Sequence, residues 1–224
     1  MVDDKTIITV AVLGGTGKEG SGLAMRWAAS GYHVIVGSRS AERAVQKADE
    51  LNEKLGEAYL VGAQNVEAAS RADLVVLTVP YGAHRATLES IREAVQGKIL
   101  VDVTVPLDPS DKFAVHLPEG TSAALEAQSF LGEGVRVVAA FQNVSAAHLK
   151  NPNDRVDCDV LVCGNDEEAK AEVIRLVEAA RMRGFDAGPL RNAIAVEALA
   201  PVLMGLGRRY KARGVGIRLT GIES

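Results

Sequence analysis

The segment Gly14-Gly15-Thr16-Gly17-Lys18-Glu19-Gly20 sits between a β-branched apolar run and an amphipathic stretch. Gly15, Gly17 and Gly20 fit the pattern G-x-G-x-x-G. In that setting the first glycine permits a tight turn and the second lets the backbone approach a pyrophosphate. The third lets helix and strand pack closely. The helix N-terminus that follows turns its backbone N–H groups toward the anion. In a chain with 22 glycines a bare match is weak and a ligand-free turn is the plainer reading. The strand before and the helix after favour a dinucleotide loop.

The rest of the chain repeats this alternation. Strands are expected at Ile7 to Leu13, His33 to Val36, Tyr59 to Val61, Asp73 to Val79, Lys98 to Val105, Arg136 to Phe141 and Asp159 to Cys163. Several are apolar at nearly every position, as in a strand covered on both faces. Between them, Gly20 to Ser30 places Leu23, Ala24, Trp27 and Ala28 on one helical face, with Gly31 as the stop. Ser40 caps a helix carrying Ala44, Ala48, Leu51 and Leu55, ended by Gly56. Further helical stretches are read around Thr87 to Val95, from an Asn165/Glu168 capping pair to Arg181, and over Leu190 to Tyr210 around Pro201. The pattern predicts an α/β, Rossmann-type, doubly wound and mainly parallel sheet with right-handed crossovers. The turn-rich Asn151-Pro152-Asn153-Asp154 marks the expected boundary between a nucleotide-binding domain, 1–150, and a smaller α/β extension, 151–224. The extension is expected to close the cleft, and its nearly all-apolar last helix suggests a homodimer interface.

Composition narrows the function. Of 224 residues, 47% are hydrophobic and 24% charged, the balance of a globular protein. The net charge of −4 argues against nucleic acid or an anionic membrane as the main partner. Apolar runs such as Val137 to Phe141 are far too short to span a bilayer. Met1-Val2-Asp3-Asp4-Lys5 lacks the features of a secretory signal, so the cytoplasm is the expected compartment. Cys158 and Cys163 read as core residues, and the four histidines are dispersed, so no metal site is expected.

The end of the second strand selects the nucleotide. An NAD site places Asp or Glu there for the ribose hydroxyls. Here the residues are Gly37-Ser38-Arg39, with Arg43 one helical turn on. A hydroxyl and two guanidinium groups suit a 2′-phosphate, so NADP is expected; solvated surface arginines are the bland alternative. Thr78-Val79-Pro80 and Thr104-Val105-Pro106 end two strands and offer a rigid uncharged wall to a nicotinamide, or mere strand stops. His84 either faces that pocket or lies on a surface helix.

Five runs, Val12-Leu13-Gly14-Gly15-Thr16-Gly17, Val36-Gly37-Ser38-Arg39, Leu77-Thr78-Val79-Pro80, Asp159-Val160-Leu161-Val162-Cys163-Gly164 and Asp186-Ala187-Gly188-Pro189-Leu190, resemble the F420:NADP oxidoreductases. The likeness covers almost the whole chain, through Gly214-Val215-Gly216-Ile217. It implies hydride transfer between nicotinamide C4 and deazaflavin C5, with no enzyme nucleophile. It also implies that Thr16, Gly17, Lys18 and Glu19 hold the pyrophosphate side, that Ser38, Arg39 and Arg43 hold the 2′-phosphate, and that Val79, Val105, Ala146 and Val215 line the ring cleft. One loop departs from the family pattern: Gln142-Asn143 stands where a His-Thr pair followed by Pro is expected. Those amides either donate to a ring carbonyl or satisfy their own backbone. The alternatives to F420 are a flavin or other small acceptor, or a noncatalytic NADP-binding redox sensor.

Overall fold

A computed structural model describes residues 8–57 and 59–222; Ile7 and the Met1–Lys5 segment lie outside them. Strands β1 (Thr9–Leu13), β2 (His33–Ser38), β3 (Leu60–Gln64), β4 (Leu74–Leu77), β5 (Ile99–Asp102), β6 (Arg136–Ala139), β7 (Asp159–Gly164) and β8 (Arg183–Asp186) form an eight-stranded sheet. Their order is β3-β2-β1-β4-β5-β6-β7-β8. Every pairing is parallel except β6 with β7. The helices are α1 (Lys18–Ala29), α2 (Ala41–Leu55), α3 (Asn65–Arg71), α4 (Tyr81–Ile91), α5 (Ala123–Leu131), α6 (Glu167–Ala179) and α7 (Ala193–Arg209).

Alternation along β1 assigns the two faces. Val10 and Val12 join a core with Leu23 and Trp27 of α1, whereas Ala11 and Leu13 join one with Leu88 of α4 and Ala127 of α5. Strand order reverses between β1 and β4, so the crevice at their carboxyl ends is the favoured place for a ligand.

Polar anchors fix the frame. Trp27 is fully buried, and its Nε1–H donates to the Leu176 carbonyl at 2.8 Å. The buried Arg26 guanidinium donates to the carbonyls of His148, Asn151, Asp154 and Ala180 at 2.6–2.9 Å. The turn-rich segment 151–154 is therefore strapped to α1. Asp159 receives Arg183 Nη2 at 2.6 Å and the Leu219 N–H at 2.7 Å, which ties the terminal segment back to β7.

Several local expectations hold and others need correction. Gly31 and Gly56 do adopt left-handed φ of +89° and +74°, and the Ser40 hydroxyl accepts from the Arg43 N–H. The cap of α6 is Asp166, accepting from Ala169 N–H at 2.7 Å; Asn165 instead accepts from Leu190 N–H. The helix after β4 runs Tyr81–Ile91, not Thr87 to Val95, because Pro80 serves as its N-cap. Strands β4 and β5 stop at Leu77 and Asp102, short of Val79 and Val105, which peel away toward the crevice.

The helical stretch Leu190–Arg209, a short turn followed by α7, is long and apolar enough to match a membrane span by length and composition, an 18-residue window of it having mean hydropathy 1.3. The helix nevertheless packs on the protein, burying Val196, Glu197, Ala200 and Pro201. Its other side leaves Val202, Met204 and Leu206 exposed.

Candidate functional site

The glycine loop spans the turn from β1 into α1. Gly14 carries the left-handed φ of +78°, so it, rather than Gly15, supplies the conformational freedom of the turn. Gly15 is required for closeness: an added Cβ would lie 2.7 Å from the Val12 carbonyl oxygen. Gly20 is required for packing, since its Cβ would fall 2.4 Å from Thr78 Oγ1. Gly17 differs from both. Its Cβ would meet only the Gly14 carbonyl oxygen, at 3.2 Å, and otherwise face open space. Gly17 is also the N-cap of α1 and supplies no side-chain cap. The first-turn N–H groups thus keep their capacity for an external acceptor, and the helix dipole favours an anion.

A cleft of about 630 Å³ opens from this turn. Thr16, Gly17, Lys18 and Glu19 line its start, and Ser38, Arg39 and Arg43 line one end. Thr78, Val79, Pro80 and Val105 line the other. Gly15 and Gly20 shape the loop from behind. No carboxylate stands at the end of β2. Arg39 and Arg43 are exposed and form no ion pair among the described residues, so both guanidinium groups are free to meet a phosphate. Asn65, at the start of α3, lines the same end, and its buried Oδ1 has no hydrogen-bond partner among the described residues.

The uncharged wall is held by backbone bonds between strand ends. Thr78 gives both its N–H and its hydroxyl to the Leu13 carbonyl, each at 2.9 Å. Val103 N–H donates to Leu77 at 3.0 Å. Behind this wall lies His84, which neither lines the cleft nor sits on the surface. It is 2% exposed, and its Nε2 meets Asp102 Oδ2 at 2.7 Å. Burial pulls the imidazole down, but the Asp102 bond and charge outweigh it and hold His84 above its usual value.

A second compartment of about 580 Å³ adjoins the first, with Glu19, Val105, Gln142 and Val144 common to both. Ala146 and Val215 line it, as do Phe113 and Met204. Lys112 and Arg208 bring positive charge to it. The loop after β6 builds the partition, with Phe141 at a φ of +73°, a region that side chains rarely adopt. Gln142 Nε2 donates to the Asp102 carbonyl and Asn143 Nδ2 to the Asp159 carbonyl, each at 2.7 Å. Their side-chain oxygens remain buried and unpartnered. Asn143 Nδ2 spends both its N–H groups on the Asp159 carbonyl and Cys158 Sγ, whereas Gln142 Nε2 spends one on the Asp102 carbonyl and keeps the other.

Residues 9–106 match the family model described as NADP oxidoreductase coenzyme F420-dependent. The F420-dependent NADP reductase of Methanocaldococcus jannaschii is 43% identical over 222 residues, covering 96% of this chain and 99% of that protein. The chain belongs to the F420-dependent NADP oxidoreductase family. The family reductase of Methanothermobacter thermautotrophicus is 41% identical, covering 96% of each chain. A crystal structure of a candidate F420-dependent NADP reductase from Arthrobacter sp. FB24 superposes with a TM-score of 0.80 at 26% identity, covering 95% of this chain and 99% of that one.

Within this family frame, sequence reasoning passed over Asn65, Phe141, Val144, Lys112 and Arg208 as lining residues. Asn65 opens a seven-residue helix too short for a periodic signal, and Lys112 and Arg208 come from segments distant in sequence. Among the described residues no cluster of three or more potential metal ligands occurs.

Proposed function

We propose that this chain transfers a hydride between NADP(H) and the deazaflavin coenzyme F420. The observation carrying the reading is the pair of adjoining compartments with a shared apolar and amide partition at the mouth of the glycine loop. The open N–H turn at Gly17, the Ser38-Arg39-Arg43 end and the unpartnered Asn65 oxygen suit NADP. In this reading Thr16, Gly17, Lys18 and Glu19 hold the pyrophosphate side, with Gly15 and Gly20 shaping the loop. Ser38, Arg39 and Arg43 hold the 2′-phosphate.

Thr78, Val79, Pro80 and Val105 then position the nicotinamide, and Ala146 and Val215 border the deazaflavin. The bound dinucleotide supplies the hydride and the deazaflavin accepts it. The protein contributes orientation and exclusion of water, which can account for about 7–11 kcal/mol of a two-reactant barrier. Segment 151–224 closes the second compartment, and the exposed Val202, Met204 and Leu206 of α7 form a homodimer contact. A monomeric native mass by light scattering would contradict that contact. Two unpaired cysteines, both buried, suit a reducing cytoplasm.

The test is anaerobic mixing of protein, NADPH and F420 while oxidised deazaflavin is followed by absorbance. Bleaching of F420 at a rate well above that with FMN or FAD is expected. Turnover with the flavins alone would move the assignment to a flavin reductase, and tight NADPH binding without any transfer would move it to a sensor.

A further inference from the structure

We propose that Glu19 is the proton donor and acceptor for the ring that exchanges hydride with the nicotinamide. The inference rests on the reading above and deepens it. Glu19, the second residue of α1, is the glycine-loop residue common to both compartments and so stands at their junction. Its Oε1 is buried without a hydrogen-bond partner among the described residues. A carboxylate oxygen left so is costly, and a neutral acid with a proton to give is the form the site favours.

Burial alone accounts for the rise of its pKa to about 8. The charged groups facing it do not reverse that: Lys18 on its own helix, Lys112 and Arg208 across the second compartment, and Arg39 and Arg43 at the far end of the first. A pyrophosphate at the loop adds negative charge nearby and holds the proton more firmly.

The reaction requires such a group. Reduction of a deazaflavin by NADPH adds a hydride at C5 and one proton at ring nitrogen N1. Glu19 supplies that proton, its O–H bond breaking as the N–H bond forms, and leaves as carboxylate. Because the residue is only partly buried as a whole, solvent can return the proton through the cleft. In the reverse direction the carboxylate accepts the proton as hydride leaves C5. A group titrating near the working pH is suited to both directions.

The experiment combines infrared titration with single-turnover kinetics on the full chain. In wild type, the protonated carboxyl band assigned to Glu19 by its loss in Glu19→Gln should titrate near pH 8, and higher with NADP bound. Hydride transfer from NADPH should slow above that pH and carry a solvent deuterium effect. At saturating NADPH, Glu19→Gln should cut the single-turnover rate at least tenfold and lose both the limb and the deuterium effect. Glu19→Asp should recover part of the rate. A Glu19 band already absent at pH 6, or a Gln variant with wild-type rate and pH profile, would overturn the proposal. Should wild type fail to reduce F420 at all, the functional reading falls, while the infrared titration still decides whether Glu19 holds a proton.

Discussion

His84 Nε2 and Asp102 Oδ2 meet at 2.7 Å inside the protein, behind the uncharged wall of the first cleft. Asp102 Oδ1 also accepts from the Thr104 N–H at 3.0 Å, and its carbonyl receives Gln142 Nε2 at 2.7 Å. One aspartate thereby links α4, the strand end bearing Thr104 and the partition loop. Removing one partner of a buried pair typically costs about 3–5 kcal/mol. His84→Ala should therefore lower unfolding free energy by about that amount in chemical denaturation and raise KM for NADPH. Unchanged stability would mean that the pair does not brace the wall.

The 2′-phosphate assignment predicts a selective defect. Arg39→Asp should weaken NADPH by at least the worth of one charged hydrogen bond, about 1.5–3 kcal/mol, and leave NADH nearly unaffected. Comparing Kd for the two nucleotides checks it. An unaltered NADPH/NADH ratio would place the phosphate elsewhere.

The loop glycines should separate folding from binding. Gly17 faces open space, so Gly17→Val should fold and lose nucleotide affinity, read by circular dichroism and calorimetric titration. Gly20 lies against Thr78 and Gly14, so Gly20→Val should lose stability. A Gly17→Val protein with normal affinity would contradict a pyrophosphate at that turn.

Stability should fall as pH rises. Burial lifts Glu19 and Glu197 from 4.5 to about 8 in the folded chain; for Glu197, the Ala123 and Ala124 N–H groups oppose the lift and Asp102 and Glu126 add to it. His84 lies above its ordinary 6.5. All three bind more protons folded than unfolded over this range. Their contribution is complete below the unfolded values and is lost as pH passes through the folded ones. Denaturant titrations from about pH 5 to pH 8 should lose on the order of 3 kcal/mol for each of the two acids, with a shallower slope in Glu19→Gln. A rise in stability over that interval would contradict the buried acids.

The strands and helices around the glycine loop were readable because each has a local cause: apolar β-branched runs, a hydroxyl cap at Ser40, left-handed glycines at 31 and 56. What escaped was set by tertiary contact. Strand β8, Arg-Gly-Phe-Asp, has no alternation and pairs only because α6 returns the chain beside β7. Segment 151–154 carries turn composition, yet Arg26 from α1 holds it. That Thr16 to Glu19 share one cleft with Ser38, Arg39 and Arg43 was legible, since one loop and one strand end bring them there. The second compartment draws on residues from 19 to 215, and no short motif encodes that meeting.

The most direct test of the central claim follows deuterium from NADPH labelled at nicotinamide C4. Direct transfer between adjoining compartments predicts that the label appears at C5 of reduced F420 with no loss to water. Label released to solvent, or F420 left oxidised while NADPH is consumed, would contradict it.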